Sequence, residues 1–225
     1  MAAGFRPTRV YLEVGTKRVF ACSVDWPGWC RSGRDEEVAL RALASYASRY
    51  AAVAAAAGIP FDEAAADELD VVEQVPGDTT TNFGAPSQVP QLDAEPLTAK
   101  EARGHAALVA AAWSVLETVA ATAPERLRKG PRGGGRDRDP ILEHVLGAEA
   151  AYARKIGVKH RQPALDDFAA IKSMRGDIVD CLQSARAGTP PVPNGWPPRY
   201  AARRIAWHVL DHAWEIEDKS EREDG

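Results

Sequence analysis

The chain contains little of what usually directs a functional interpretation. Its 225 residues include only three cysteines, Cys22, Cys30 and Cys181. An odd number at irregular spacing gives neither a disulfide framework nor a zinc-finger pattern, so a reducing compartment is expected. No apolar run approaches the roughly 18–20 residues that span a membrane, and the opening residues MAAGFRPTRV lack the apolar stretch of a signal peptide. These absences predict a cytoplasmic protein with no membrane partner.

The chain also has only a small excess of charge of one sign. The formal net charge is −4, with 27% charged and 45% hydrophobic residues, which is the composition of an ordinary globular protein. A weakly acidic chain is a poor general binder of nucleic acid, so no nucleic-acid partner is expected. The length suits one large domain or two small ones.

The first third of the chain predicts a ββαβ unit. Two strand-like runs flank a Gly-Thr-Lys turn, and a turn-rich loop leads into a long alanine-rich helix with acids in its first turn. A third strand-like run follows. The predicted elements are strands at Thr8–Val14 and Arg18–Val24, a loop at Asp25–Gly33, a helix at Asp35–Ala57 and a strand at Leu69–Val75.

A proline-rich segment, Pro76–Pro96, separates this unit from a helical half and indicates a linker or extended arm. Within it, Phe83, Val89 and Leu92 are apolar enough to pack on a neighbouring surface. The helical half predicts an all-α, up-down-type four-helix bundle. Its expected helices span about 98–123, 140–156 and 165–187, and the last begins after Pro198. The expected organisation is a ββαβ domain at 1–76, a linker at 77–96 and a bundle at 97–220.

The last helix carries His208 and His212, four residues apart and therefore on one face. The face is otherwise apolar, which is typical of core positions. His144, on the second helix of the bundle, falls on the apolar side of its own helix. Three inward imidazoles suit a metal site with an open position, although an inward histidine is more often a hydrogen-bonded core residue. The role of His105 is ambiguous. Support of a ligand residue or a position on the surface is favoured over ligation.

The segments ILEHVLGAEAAY (141–152) and HVLDHAW (208–214) resemble the DinB-like family over roughly 97–218. The resemblance implies a four-helix bundle that binds a divalent metal through His144, His208 and His212. Zinc is the first choice, with nickel, iron or cobalt as alternatives. The family includes mycothiol-dependent maleylpyruvate isomerase and bacillithiol or mycothiol S-transferases, so a low-molecular-weight thiol cofactor is implied.

The segment VDWPGWCRSGRDEEVAL (24–40) resembles the HicB-type ββαβ domain over roughly 8–75, with Cys30 one place later than in that pattern. The family's DNA-binding segment has no counterpart here. The resemblance therefore implies a fold and no toxin–antitoxin function.

A basic, glycine-rich connection, ERLRKGPRGGGRDR (125–138), leads into the helix that carries His144. Backbone N–H groups at glycines and at a helix N-terminus favour an anion. Lys129, Arg132 and Arg136 are therefore candidates for binding the anionic part of a thiol cofactor or substrate. A solvated connector is an equally good interpretation.

The expected function is a metal-binding protein in which the metal activates a thiol, as in a thiol-dependent S-transferase or isomerase. The alternatives are a non-enzymatic metal sensor or interaction module and a metal-dependent hydrolase. No catalytic residue beyond the ligands can be assigned. Trp207, Leu210 and Trp214 give the last helix a second apolar face, which the N-terminal unit, the proline-rich segment or a homodimer partner would cover.

Overall fold

The N-terminal half is built on one four-stranded sheet in the order β3-β2-β1-β4. The computed structural model describes residues 7–130 and 134–220. β1 pairs antiparallel with β2 and parallel with β4, and β3 extends the sheet antiparallel to β2. The strands are β1 (Thr8–Val14), β2 (Val19–Ser23), β3 (Cys30–Gly33) and β4 (Leu69–Pro76).

β3 corrects the prediction of a loop over Asp25–Gly33. The chain turns at Gly28, whose φ is 95°, and the Ser23 N–H donates to the Trp29 carbonyl at 2.9 Å. That bond starts a ladder in which Cys22 lies opposite Cys30. The unit is therefore a three-stranded antiparallel run with a parallel fourth strand, a larger sheet than the predicted ββαβ arrangement.

The predicted long helix is divided in two, α1 (Glu36–Ser45) and α2 (Ala47–Ala56). Tyr46 interrupts it with φ −95° and ψ 6°. The Tyr46 ring lies against Trp214, with ring centroids 5.0 Å apart, and under the Arg31 guanidinium. The break therefore occurs where the N-terminal half contacts the last helix of the chain.

The proline-rich segment is an ordered strap. It contains a short helix, α3 (Thr79–Phe83), and a 3-10 turn at Gln91–Ala94. The buried Glu13 carboxylate accepts hydrogen bonds from the backbone N–H groups of Ser87 and Gln88, and the buried Asp93 pairs with Arg203. Phe83 and Val89 stay exposed, whereas Leu92 packs against the sheet.

Four long helices form the C-terminal half: α4 (Ala99–Thr122), α5 (Arg138–Lys155), α6 (Phe168–Ser184) and α7 (Pro198–Ser220). α4 starts at the predicted capping box, in which Thr98 and Glu101 bond to each other's backbone N–H groups. α4 packs against α6 and α7, and α5 packs against the same two helices. The chain therefore has an α+β N-terminal part followed by a helical part.

Contacts near the helix ends give the directions of the four helices. Arg199 pairs with Glu101 at 2.9 Å, and the Arg128 N–H, beyond the end of α4, donates to Lys219 near the end of α7, so α4 and α7 run parallel. The α5 carbonyl of Lys155 accepts from Trp196, just before α7, so α5 runs opposite to α7.

α5 and α6 also run in the same direction, because Glu149 pairs with Arg175 and Ile156 accepts from Cys181. The order is up, down, down, up. This order differs from the alternating up-down order that was predicted. The segment between α5 and α6 runs back along the helices, so α6 begins at the same end of the helical part as α5.

α4 is long and apolar enough to cross a membrane by length and composition alone. The prediction that no apolar run spans a membrane did not include it, because Glu117 interrupts its apolar residues. It packs against α2, α6 and α7, and its buried residues include Leu108, Val109 and Leu116. α4 therefore contributes to the core of the helical part.

One apolar core joins the two halves. Buried side chains from the sheet and α1, such as Leu12 and Leu43, belong to the same cluster as Ile178 and Ile205 of the helical part. Leu210 lies against Gly28, where an added Cβ would come within 2.6 Å of it. The N-terminal half thus covers the second apolar face of α7. The division at 76 and 97 stays a prediction.

Candidate metal centre

α7 positions two of the three candidate ligands. Its first residue is Pro198, and proline suits the first turn of a helix because that turn needs no N–H donor. The helix then runs without interruption to Ser220. His208 is 7% exposed, whereas His212, one turn later, is half-buried. Their ring centroids are 4.7 Å apart, so the pair faces one side of α7 as the spacing predicted.

α5 brings His144 to the same place. Its Nε2 lies 3.3 Å from the Nε2 of His208, and its ring centroid lies 5.0 Å from that of His212. The ligand atoms of all three residues lie within 4.8 Å of one another. His144 is more exposed than its predicted inward position implies, but its ring faces the two histidines of α7. The cluster opens to solvent between α5 and α7.

The geometry fits a metal ion. Two imidazole nitrogens bound at about 2.0–2.1 Å in a tetrahedron are about 3.3–3.4 Å apart, which matches the His144–His208 separation. The same 3.3 Å also fits a hydrogen bond between two neutral imidazoles, one donating and one accepting. The third imidazole favours the metal, since it adds a ligand that such a hydrogen bond does not need.

The protonation states also suit ligation. Burial, then His212 and Arg204, hold the pKa of His208 well below the ordinary histidine value. Burial, then His212 and Arg136, lower the pKa of His144. Both imidazoles are therefore neutral near pH 7, which is the form that binds a metal.

Glu215 fixes the orientation of His212. Its Oε2 lies 2.8 Å from His212 Nδ1, which leaves Nε2 of that ring for an ion. Its other oxygen accepts from Lys219. The hydrogen bond with His212, followed by that from Lys219, lowers the pKa of Glu215 to about 2. A carboxylate on the far nitrogen of a ligating imidazole is the usual support for a metal site.

The basic connection is only partly near the histidines. Arg136 is exposed and close enough to lower the pKa of both His144 and His208. Lys129 instead pairs with Asp137 at 2.5 Å and with the Gly135 carbonyl. Arg132 lies outside the described residues. Of the two predicted anion-binding residues that the structure describes, Arg136 is the one placed beside the cluster.

The remaining histidines lie elsewhere. His105 is buried and its Nδ1 has no partner among the described residues, so a surface position is excluded. His160 forms a hydrogen bond with Asp177 at 2.7 Å. Neither His105 nor His160 belongs to the cluster.

A close pair of thiols was not predicted from the sequence. Cys22 Sγ and Cys30 Sγ are 2.8 Å apart across β2 and β3. Both residues are buried. Cys22 and Cys30 are each four residues from Trp26, so a hairpin centred on Trp26 would have predicted their pairing.

Aromatic rings form the wall next to His208. Its ring centroid is 5.6 Å from Tyr152 and 6.1 Å from Trp207. The Arg204 guanidinium lies over both rings, at 5.1 and 4.6 Å. This wall was not predicted, because Tyr152 belongs to α5 and meets α7 only through tertiary packing.

A large cavity is separate from the histidines. It measures about 1050 Å³ and is lined by α4, α5 and α6, with Trp113, Leu142 and Phe168 among its walls. None of the three clustered histidines lines it.

A scan against protein-family models, a search of curated proteins and a search of solved structures each found no match.

Proposed function

We propose that the chain is a divalent-metal-binding protein of the DinB-like type, in which His144, His208 and His212 hold the ion and leave a position for a thiol. The observation that supports it most is the cluster itself, with ligand atoms within 4.8 Å of one another. Three nitrogen ligands with an open side are typical of a catalytic site, whereas a structural site is usually closed by four ligands. The resemblance of the segments at 141–152 and 208–214 to that family supports the same proposal.

A bound ion would supply Lewis acidity that lowers the pKa of a thiol at the open position. The protein residues have other tasks. Glu215 holds the His212 ring in its orientation, and burial keeps His208 neutral by lowering its pKa. Arg136 places positive charge at the entrance, which attracts an anionic thiol or substrate.

Zinc is the first choice of metal, since a neutral three-imidazole set with an open position suits it. Nickel, iron and cobalt accept the same ligands. The reaction that follows from this chemistry is transfer of, or addition by, the thiol sulfur, as in an S-transferase or isomerase. The cytoplasm remains the expected compartment.

The experiment is titration of the cobalt-loaded protein with 2-mercaptoethanol, followed by visible and near-ultraviolet spectroscopy. Cobalt replaces zinc in such sites, and sulfur ligation produces a new charge-transfer band. We expect the band in the wild type and in His160→Ala, whose histidine lies outside the cluster. A cobalt-loaded protein that shows no spectral change at any thiol concentration would rule out thiol binding.

A second candidate function is a non-enzymatic metal-binding module. The position of the large cavity between α4, α5 and α6 favours it, because that cavity does not reach the histidines. The same titration discriminates: a metal that binds while excluding every thiol is the behaviour of a sensor or a structural site.

A further inference from the structure

Arg204 lies one helical turn before His208 on α7 and shares its surroundings. The Arg204 guanidinium is over the Tyr152 and Trp207 rings, at 5.1 and 4.6 Å. His208 lies against the same two rings. Residues four apart on a helix point the same way, so the cation and the imidazole are neighbours on the same side of α7.

Arg204 differs from the two other arginines of this part of α7. Arg199 pairs with Glu101, and Arg203 pairs with the buried Asp93. Among the described residues no carboxylate pairs with Arg204, and its Nη1 is buried without a hydrogen-bond partner.

An unpaired charge costs free energy when it is taken out of water. Stacking on two aromatic rings offsets part of that cost, but it provides no acceptor for the buried Nη1. A second unsatisfied group lies nearby, since the Nδ1 of His208 is also buried without a partner. With His208 Nε2 ligating an ion, Nδ1 carries the ring proton and is a donor too. Both groups therefore lack an acceptor.

We propose that Arg204 binds the carboxylate of a ligand whose thiol occupies the open position of the histidine cluster. This rests on the proposed function and adds the ligand class, a thiol that carries a carboxylate. The guanidinium is suited to the task because its planar fork donates two parallel bonds to a carboxylate. Arg204 is half-buried, so part of the residue is reachable from solvent.

The test compares three probes on the zinc-loaded protein by calorimetry: 2-mercaptoethanol has only the thiol, propionate only the carboxylate, and 3-mercaptopropionate both. A charge-assisted hydrogen bond to the carboxylate predicts that 3-mercaptopropionate binds at least about tenfold more tightly than 2-mercaptoethanol. Arg204→Gln should remove that advantage and leave the affinity for 2-mercaptoethanol unchanged.

Two further variants complete the experiment. Arg204→Lys keeps the charge without the fork, and it should retain only part of the advantage; it also serves if the glutamine variant does not fold. Arg34→Gln removes the same charge from a side chain that is 84% exposed, and it should behave as the wild type. Circular dichroism and zinc content are measured on each variant.

The outcomes separate the two proposals. If 2-mercaptoethanol binds but the carboxylate gives no advantage, or the advantage survives in Arg204→Gln, the role of Arg204 is wrong while the thiol proposal stands. If neither thiol binds but propionate does so in an Arg204-dependent way, the thiol proposal is wrong while the anion site stands. If no probe binds, both are wrong.

Discussion

Glu215→Gln tests whether the carboxylate beside His212 supports a metal site. The hydrogen bond from His212 Nδ1 to Glu215 Oε2 is 2.8 Å long, and the neutral amide would keep the shape while losing the charge. Loss of such a partner typically weakens metal binding about 10- to 100-fold, or about 1.4–2.8 kcal/mol. We therefore expect the zinc dissociation constant to rise by one to two orders of magnitude, with little change in fold.

The assay is a zinc competition titration with a chromophoric chelator at neutral pH. Glu217→Gln is the matched control, because Glu217 lies on the same helix and contacts Arg49 at 3.4 Å, away from the histidines. If both variants bind zinc as tightly as the wild type, Glu215 does not support a ligand, and the pairing with His212 is an ordinary surface ion pair.

Two predictions concern stability. Burial, then Arg203 and Arg199, lower the pKa of His105 to about 4 from 6.5, whereas Glu101 and Asp25 act in the opposite direction. As the pH falls, the unfolded chain protonates His105 before the folded chain does. The free energy of unfolding should therefore fall by roughly 3 kcal/mol as the pH drops from about 6.5 to 4. In urea unfolding across this range, His105→Gln should show a flatter dependence of stability on pH, and identical dependences for variant and wild type would contradict the lowered pKa of His105. Asp93→Ala should lower the free energy of unfolding by about 3–5 kcal/mol, because it leaves the guanidinium of Arg203 buried without its partner. Asp70→Ala, at an exposed position, is the control. Equal urea midpoints for the two variants would show that the strap is not anchored at Asp93.

Local patterns in the sequence predicted most elements of the fold. The capping box at Thr98 and Glu101 placed the start of α4, and the i, i+4 spacing placed His208 and His212 on one face. Such signals depend on neighbours along the chain. The pairing of Cys22 with Cys30 depends on strand register, and the break at Tyr46 depends on contact with α7, so neither followed from periodicity.

The candidate site was also predicted only in part from local patterns in the sequence. The three histidines were predicted from their helix faces and the family resemblance, and the structure brings them together. The exposure of His144 depends on how α5 is seated against α7, which its own sequence does not determine. Arg204 has no carboxylate partner in the described part of the chain, and its Nη1 is buried without a hydrogen-bond partner. Both features depend on the tertiary surroundings and are visible only in three dimensions.

Metal content tests the central claim most directly. The wild type, reconstituted with zinc and dialysed against metal-free buffer, should retain about one ion per chain by elemental analysis, and His208→Ala should retain almost none. His160→Ala, which removes a histidine paired with Asp177, should match the wild type. A wild type that retains no zinc, cobalt, nickel or iron, or a His208→Ala variant that retains a full ion, would contradict the assignment of His144, His208 and His212 as ligands.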